Sequence, residues 1–446
     1  MNNICDFGAV NDKNADSTKY VQLAVDDCHE KGGGIVYVPY GTYKIATVRL
    51  YSDIHFLFEP GAKFLGSEDP DAYSEREHVP YPLYQDTSHS YFHHSMFWAE
   101  ECNNISFTGL GTIDMQNVWE KEDYPEENNP WSARRAAKIF ALKNCKNITI
   151  TDLTLLRATD LAVYLAGCEK VLLSKLTIDV DMDGISPDCC KDVIISDCFV
   201  RTGDDAIVIK STYTLNRIKD CENIAVTNCS ITTSGSAVKI GTESNGSFRN
   251  ISVSNCVVYD TQFAGVSLLV TDGGHLDGVC VTNLTMTNVG YPFLIILSNR
   301  ARGPEGTEMG SVRNIMISNI TCSGPYKKFW LPQMTSLWEG ERFDMPWIMP
   351  SSVTGQPDRK VENITFSNIH LGVPGGGTLE DKNMVVPEIT KMYPKNPAFG
   401  KTLPASGIYF RHVKNLTLSN VIVETIEKDE RNEFVFDDVT NLKLLN

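Results

Sequence analysis

Asp183, Asp204 and Asp205 are the residues whose type and spacing most suggest chemistry. The pair Asp204-Asp205 stands 21 residues beyond Asp183, with Asp181 and Asp188 beside the first site and Asp160 upstream. Carboxylates gathered on one face repel one another, which costs stability and raises at least one pKa. Glycosidic hydrolysis has a use for such a group: one carboxylic acid protonates the leaving oxygen while ionised partners activate water. The same residues also suit a solvated acidic turn or a calcium site.

A repeated template predicts how these side chains are positioned. Cys102-Asn103-Asn104-Ile105, Cys145-Lys146-Asn147-Ile148, Cys168-Glu169-Lys170-Val171, Cys190-Lys191-Asp192-Val193 and Cys221-Glu222-Asn223-Ile224 share it. Each reads Cys, two polar residues, then a β-branched residue opening an alternating strand. Cysteine-free copies begin their strands at Ile251, Ile315, Ile364, Leu416 and Leu442, with a degenerate copy at Val279. The spacing between first-strand residues never falls below 22, and the excess reads as loop insertions. Units this short cannot bury their own apolar faces, so neighbours must stack. The pattern predicts an all-β chain, a single-domain right-handed parallel β-helix, with Cys and Asn ladders inside it or at its corners. A β-sandwich would instead show hairpin turns and no shared template. Counting twelve residues on from Ile148, Val171, Val193 and Ile224 reaches Asp160, Asp183, Asp205 and Ser236, which predicts one column on successive coils about 4.8 Å apart.

The ends and insertions follow. Residues 1–35 form an N-terminal cap, with a helix over Thr18–Glu30 behind Asp16-Ser17 and stopped by Gly32-Gly33-Gly34. Its expected inner face is Tyr20, Val21, Leu23, Ala24 and Cys28. The main coils run over 36–323, with the catalytic turns around 183–241, and the C-terminal coils over 358–446. Ser67–His94 is a long insertion rich in Tyr, Pro and His. The aromatic insertion 324–357 carries Trp330, Trp338 and Trp347 and either packs against the body or forms a sugar-stacking wall, with Trp330 the candidate stacking residue.

The chain has 446 residues and a net charge of −16, with 42% apolar residues. That composition suits a folded globular protein and disfavours nonspecific binding to nucleic acid or anionic membranes, which requires a basic face. No run approaches the roughly 18 apolar residues of a membrane span. The first residues lack the basic and apolar regions of a signal peptide. Thirteen cysteines is an odd number in a long chain, which favours free buried thiols. Together these point to a cytoplasmic location, or to a secreted chain already trimmed. Oligomeric state is not readable from the sequence.

Asp6-Phe7-Gly8-Ala9, Gly109-Leu110-Gly111-Thr112-Ile113-Asp114, Asp183-Gly184-Ile185-Ser186-Pro187-Asp188 and Thr202-Gly203-Asp204-Asp205-Ala206-Ile207-Val208-Ile209-Lys210 resemble family 28 glycoside hydrolases, the polygalacturonases and rhamnogalacturonan hydrolases. The resemblance implies a right-handed parallel β-helix, an inverting mechanism and no cofactor or metal. It implies Asp204 as proton donor and Asp183 and Asp205 as the carboxylates that activate water. Two segments depart from the family pattern. Ser236 stands where the family has a His, and Gly265-Val266-Ser267-Leu268-Leu269 lacks the family's Arg-Ile-Lys segment, which holds a uronate carboxylate. Lys239, Lys210, Arg249, Arg300 and Arg302 are candidates to replace it. Lys239 leads, lying three residues beyond the Ser236 column position. His275 in its Gly-rich turn is a further candidate. Glu243 follows Lys239 by four residues and suits an ion pair with it. His93-His94 lacks the additional ligands a zinc site needs.

Taken together, the sequence predicts a hydrolase of pectin-derived or related oligosaccharides. The long insertions suit an exo mode. A β-helix lyase using Lys239 or Lys210 as base, and a carbohydrate-binding β-helix with a decayed site, are the alternatives.

Overall fold

The computed structural model describes residues 1–118, 137–327 and 348–445. They divide into two compact units, Met1–Gly203 with Thr214–Arg217, and Asp204–Tyr213 with Ile218–Asn446. Both are built of short strands whose ladders between coils are parallel, as in a parallel β-helix. A parallel crossover of this kind is right-handed.

The repeat template sets the register in each unit. In the first, Ile105 pairs with Ile148, Ile148 with Val171, and Val171 with Val193. In the second, Ile224 pairs with Ile251, Ile251 with Val279, Val279 with Ile315, Ile315 with Ile364, Ile364 with Leu416, and Leu416 with Leu442. The degenerate copy at Val279 therefore fills its rung despite its altered sequence. Most of these residues are buried, so each coil's apolar face is covered by the coils on either side. Insertions between copies add loop without shifting the ladder.

The polar template positions form the corner. Asn104, Asn147, Asn250, Asn363 and Asn415 adopt positive φ near +57°, a left-handed conformation that Asn tolerates better than most residues. Their side chains bond from rung to rung: Asn147 donates to Asn104 at 2.9 Å, Asn363 to Asn314 at 2.8 Å and Asn415 to Asn363 at 2.7 Å. The Asn ladder is thus an exposed corner, whereas Cys145, Cys168 and Cys190 lie inside. All thirteen thiols are free.

The helix spans Thr18–Glu30, as expected. Its buried face is Val21, Ala24, Val25 and Cys28, the i, i+3, i+4, i+7 stripe. Leu23 points the other way and is half exposed, a correction to the expected face. Ser17 is the N-cap residue but its side chain makes no cap bond, and the Asp16 carboxylate takes the Thr18 N–H at 2.9 Å.

The Ser67–His94 insertion folds onto the first unit. The Glu77 carboxylate takes the N–H groups of Phe92 and His93, and the His89 carbonyl accepts from the Tyr164 hydroxyl at 2.7 Å and the Thr214 hydroxyl at 2.6 Å. In the second unit, Val386, Ile389, Phe399 and Leu403 pack with Tyr291 and Tyr409, securing a long loop before the last coils.

The Asn363 rung combines a left-handed backbone with two ladder bonds. Asn363→Ala should destabilise the protein by about 1–3 kcal/mol, and Asn363→Gly by less, since glycine accepts the φ. Urea denaturation of both variants checks this.

Candidate active site

Asp204 and Asp205 sit at a turn pinned by the next coil. The Thr233 hydroxyl donates to the Asp204 carbonyl and accepts from the Gly235 N–H at 2.9 Å. Gly235 lies so close that a Cβ there would meet the Asp205 nitrogen at 2.7 Å and the Asp205 carboxylate at 2.8 Å. Only glycine fits. Ile207 pairs with Val238, so Asp205 stands opposite Ser236, as the column count predicted.

Both oxygens of Asp205 are engaged. Oδ1 accepts the Ser236 N–H at 2.8 Å, and Oδ2 takes the Lys239 ammonium at 2.5 Å. Ser236 itself reaches the Ser267 hydroxyl at 3.1 Å. Asp205 is buried, whereas Asp204 is partly open to solvent. The turn therefore offers one accessible carboxyl beside one tied to a cation. Burial pulls the Lys239 pKa down. The charges of Asp205, Tyr393 and Asp204 outweigh it and leave the ammonium well above its usual range.

Three of the other predicted cations of this unit, Lys210, Arg300 and Arg302, gather around two buried acids. Glu243 takes Lys210 at 2.9 Å and Arg302 at 2.5 Å, with Arg300 at 3.4 Å. Arg300 also grips Asp272 with two parallel bonds, at 2.9 and 2.5 Å. Glu243 thus pairs with Lys210 and the arginines instead of the expected Lys239. His275 is exposed and meets the Ser311 hydroxyl at 2.9 Å, and Arg249 pairs with Asp220 and Glu222 on the surface. Trp330 lies outside the described residues.

Within the first unit, Asp183 is buried and faces His89 Nε2 at 4.0 Å. Asp160 is not in its column. Val163 pairs with Ile185, which puts Leu161 opposite Asp183, one residue off the count. Asp160 instead pairs with Lys138 at 3.3 Å, itself anchored to the Tyr91 carbonyl at 2.9 Å. Asp181, in the same turn as Asp183, is pushed up to about 7, first by burial and then by Asp179. Glu77 and Glu100 bring carboxylates to His93, giving it neighbours the sequence did not suggest, but Lys143 already holds Glu100 at 3.1 Å.

Two residues beside the predicted ones, one in each unit, were not foreseen. His89 reaches Asp183 from the Ser67–His94 insertion. Tyr393 reaches Lys239 at 3.0 Å and Thr242 at 2.9 Å from the loop before the last coils. Neither lies in a repeat, and only the aromatic and His content of the first insertion hinted at it.

The model of the glycosyl hydrolases family 28 matches residues 38–330, more than half of the chain, and the protein belongs to that family. A probable polygalacturonase of Vitis vinifera is 24% identical over 65% of this chain, and the match spans 61% of that relative's length. An exopolygalacturonase of Thermotoga maritima has the same fold, with a TM-score of 0.70 at 18% identity over 95% of this chain and 91% of its own. A family 28 exopolygalacturonase of Yersinia enterocolitica gives 0.71 at 18% over 99% and 78%.

Asp181 also makes a pH prediction. Its folded pKa of about 7 lies above the unfolded 3.8, so the folded state binds its proton more tightly. The stability this contributes is complete below the unfolded value and is lost as pH rises toward 7. Asp181→Asn should leave the melting temperature nearly unchanged at pH 4 and raise it at pH 8, by up to about 4 kcal/mol of stability. Calorimetry at the two pH values checks the sign.

Proposed function

We propose that the protein is an inverting, exo-acting glycoside hydrolase of pectin-derived or related oligosaccharides. The observation that carries this is the Asp204–Asp205 turn, with one carboxyl partly exposed and its neighbour buried against Lys239. Family membership supports it, as do the exopolygalacturonases among the structures of like fold.

In this reading Asp204 gives its proton to the glycosidic oxygen as the bond to the anomeric carbon breaks. Asp183 and Asp205 hold and activate the water whose oxygen attacks that carbon from the opposite face, and one of the two carboxylates takes its proton. The sugar leaves with inverted configuration, and no cofactor enters. Around Glu243 and Asp272 three cations meet two anions, which favours an anionic sugar such as a uronate without the family's Arg-Ile-Lys segment. The lyase reading is weaker because its best base, Lys239, keeps its proton beside Asp205. Lys210, the other base, is paired with Glu243.

Asp204→Asn should lower kcat on oligogalacturonides by about a thousandfold or more, with circular dichroism and melting temperature unchanged. A variant that folds and retains most of its turnover would refute the assignment.

A further inference from the structure

The loop that brings Tyr393 to the site is held far more firmly than a connection between coils requires. The Ile389 carbonyl accepts the buried Gln356 side chain at 2.8 Å, the Thr390 carbonyl takes the Asn299 N–H at 2.8 Å, and the Val386 carbonyl takes Arg411 at 2.7 Å. Val386 and Ile389 are themselves buried. These anchors come from three separate parts of the second unit and fix the chain just ahead of Tyr393.

Tyr393 is then doubly engaged. Its oxygen lies 3.0 Å from Lys239 Nζ and 2.9 Å from the Thr242 hydroxyl, while about half of the residue stays exposed, at 47%. Met392 beside it is also exposed. Lys239 thus divides its protons between Asp205 and Tyr393, and the tyrosine fills the space beyond Lys239 next to the catalytic turn. A ring tethered at its hydroxyl and open on its remaining surface is built to meet a ligand.

We infer that Tyr393 is a positioning residue for Lys239 and, backed by residues 386–393, the end wall of the sugar groove in this unit. The inference rests on the hydrolase reading above. Through Lys239 the tyrosine sets the orientation of Asp205, and as a wall it stops a longer chain from passing the catalytic turn, so that cleavage is confined to a chain end.

Two variants separate these roles. Tyr393→Phe removes the oxygen and keeps the ring. It should lower kcat about tenfold with KM within about threefold, and the products should keep their length. Tyr393→Ala also removes the wall, and its products from a long oligogalacturonide should change from one short sugar to a spread of lengths. Mass-spectrometric footprinting with acetic anhydride reads the same contact without substrate: labelling of Lys239 should rise several-fold in Tyr393→Ala and stay low in Tyr393→Phe. Unchanged products from an active Tyr393→Ala would overturn the wall. Equal, parallel losses in kcat and a falling melting temperature in both variants would reduce the tyrosine to a structural role. If the wild-type chain cleaves no oligosaccharide, the hydrolase reading fails, and the footprint alone decides the contact: unchanged labelling in Tyr393→Ala overturns it.

Discussion

Within each unit, the parallel pairing of one coil's first strand with the next places everything else. The ladder tolerates inserted loops of any length between rungs but no slip within a rung, because a shift of one residue would turn the apolar set outward. The result is a rigid wall from which turns project at fixed positions. Asp205 owes its place opposite Ser236, and three residues short of the Lys239 rung, to that wall. The Asn corner serves the same end, since a side chain that accepts left-handed backbone and bonds to its neighbours above and below holds each coil to the same bend.

Electrostatics then set what the turn can do. Several buried acids among the described residues are matched with cations: Asp205 with Lys239, Asp160 with Lys138, Glu243 with Lys210 and Arg302, Asp272 with Arg300. A buried charge without such a partner is costly. Asp181, which burial drives up to about 7, follows the alternative course of holding its proton. Asp204 is partly open to solvent, on a turn whose backbone is fixed by Thr233 and Gly235. Open access on a rigid support is what a proton donor to a bound sugar requires.

Much of this was legible in the sequence, because it is written in the repeat. The first-strand residues, the rung at Val279 and the alignment of Asp205 with Ser236 all follow from counting along one template, while the helix over Thr18–Glu30 follows from its polar start, its apolar face and the glycines that stop it. Asp160 shows where counting fails: the loop between its coil's strands absorbs one residue, so the first strands align at an offset of 23 while Val163 and Ile185 align at 22. His89 and Tyr393 were beyond reach for a different reason. They come from insertions with no period, and their positions depend on closure over long separations, Tyr393 meeting Lys239 across 154 residues. The basic cluster was half legible. Its cations were named, but the buried acids that hold them were not, apart from Glu243, which was assigned to Lys239.

The stereochemistry of the first product tests the central claim most directly. Proton NMR of the anomeric region during the first turnovers on a defined α-linked oligogalacturonide should show the β-anomer appearing first, with the α-anomer following only by mutarotation. An α-anomer formed first, or an unsaturated product in place of a hydrated one, would contradict direct attack by a carboxylate-activated water.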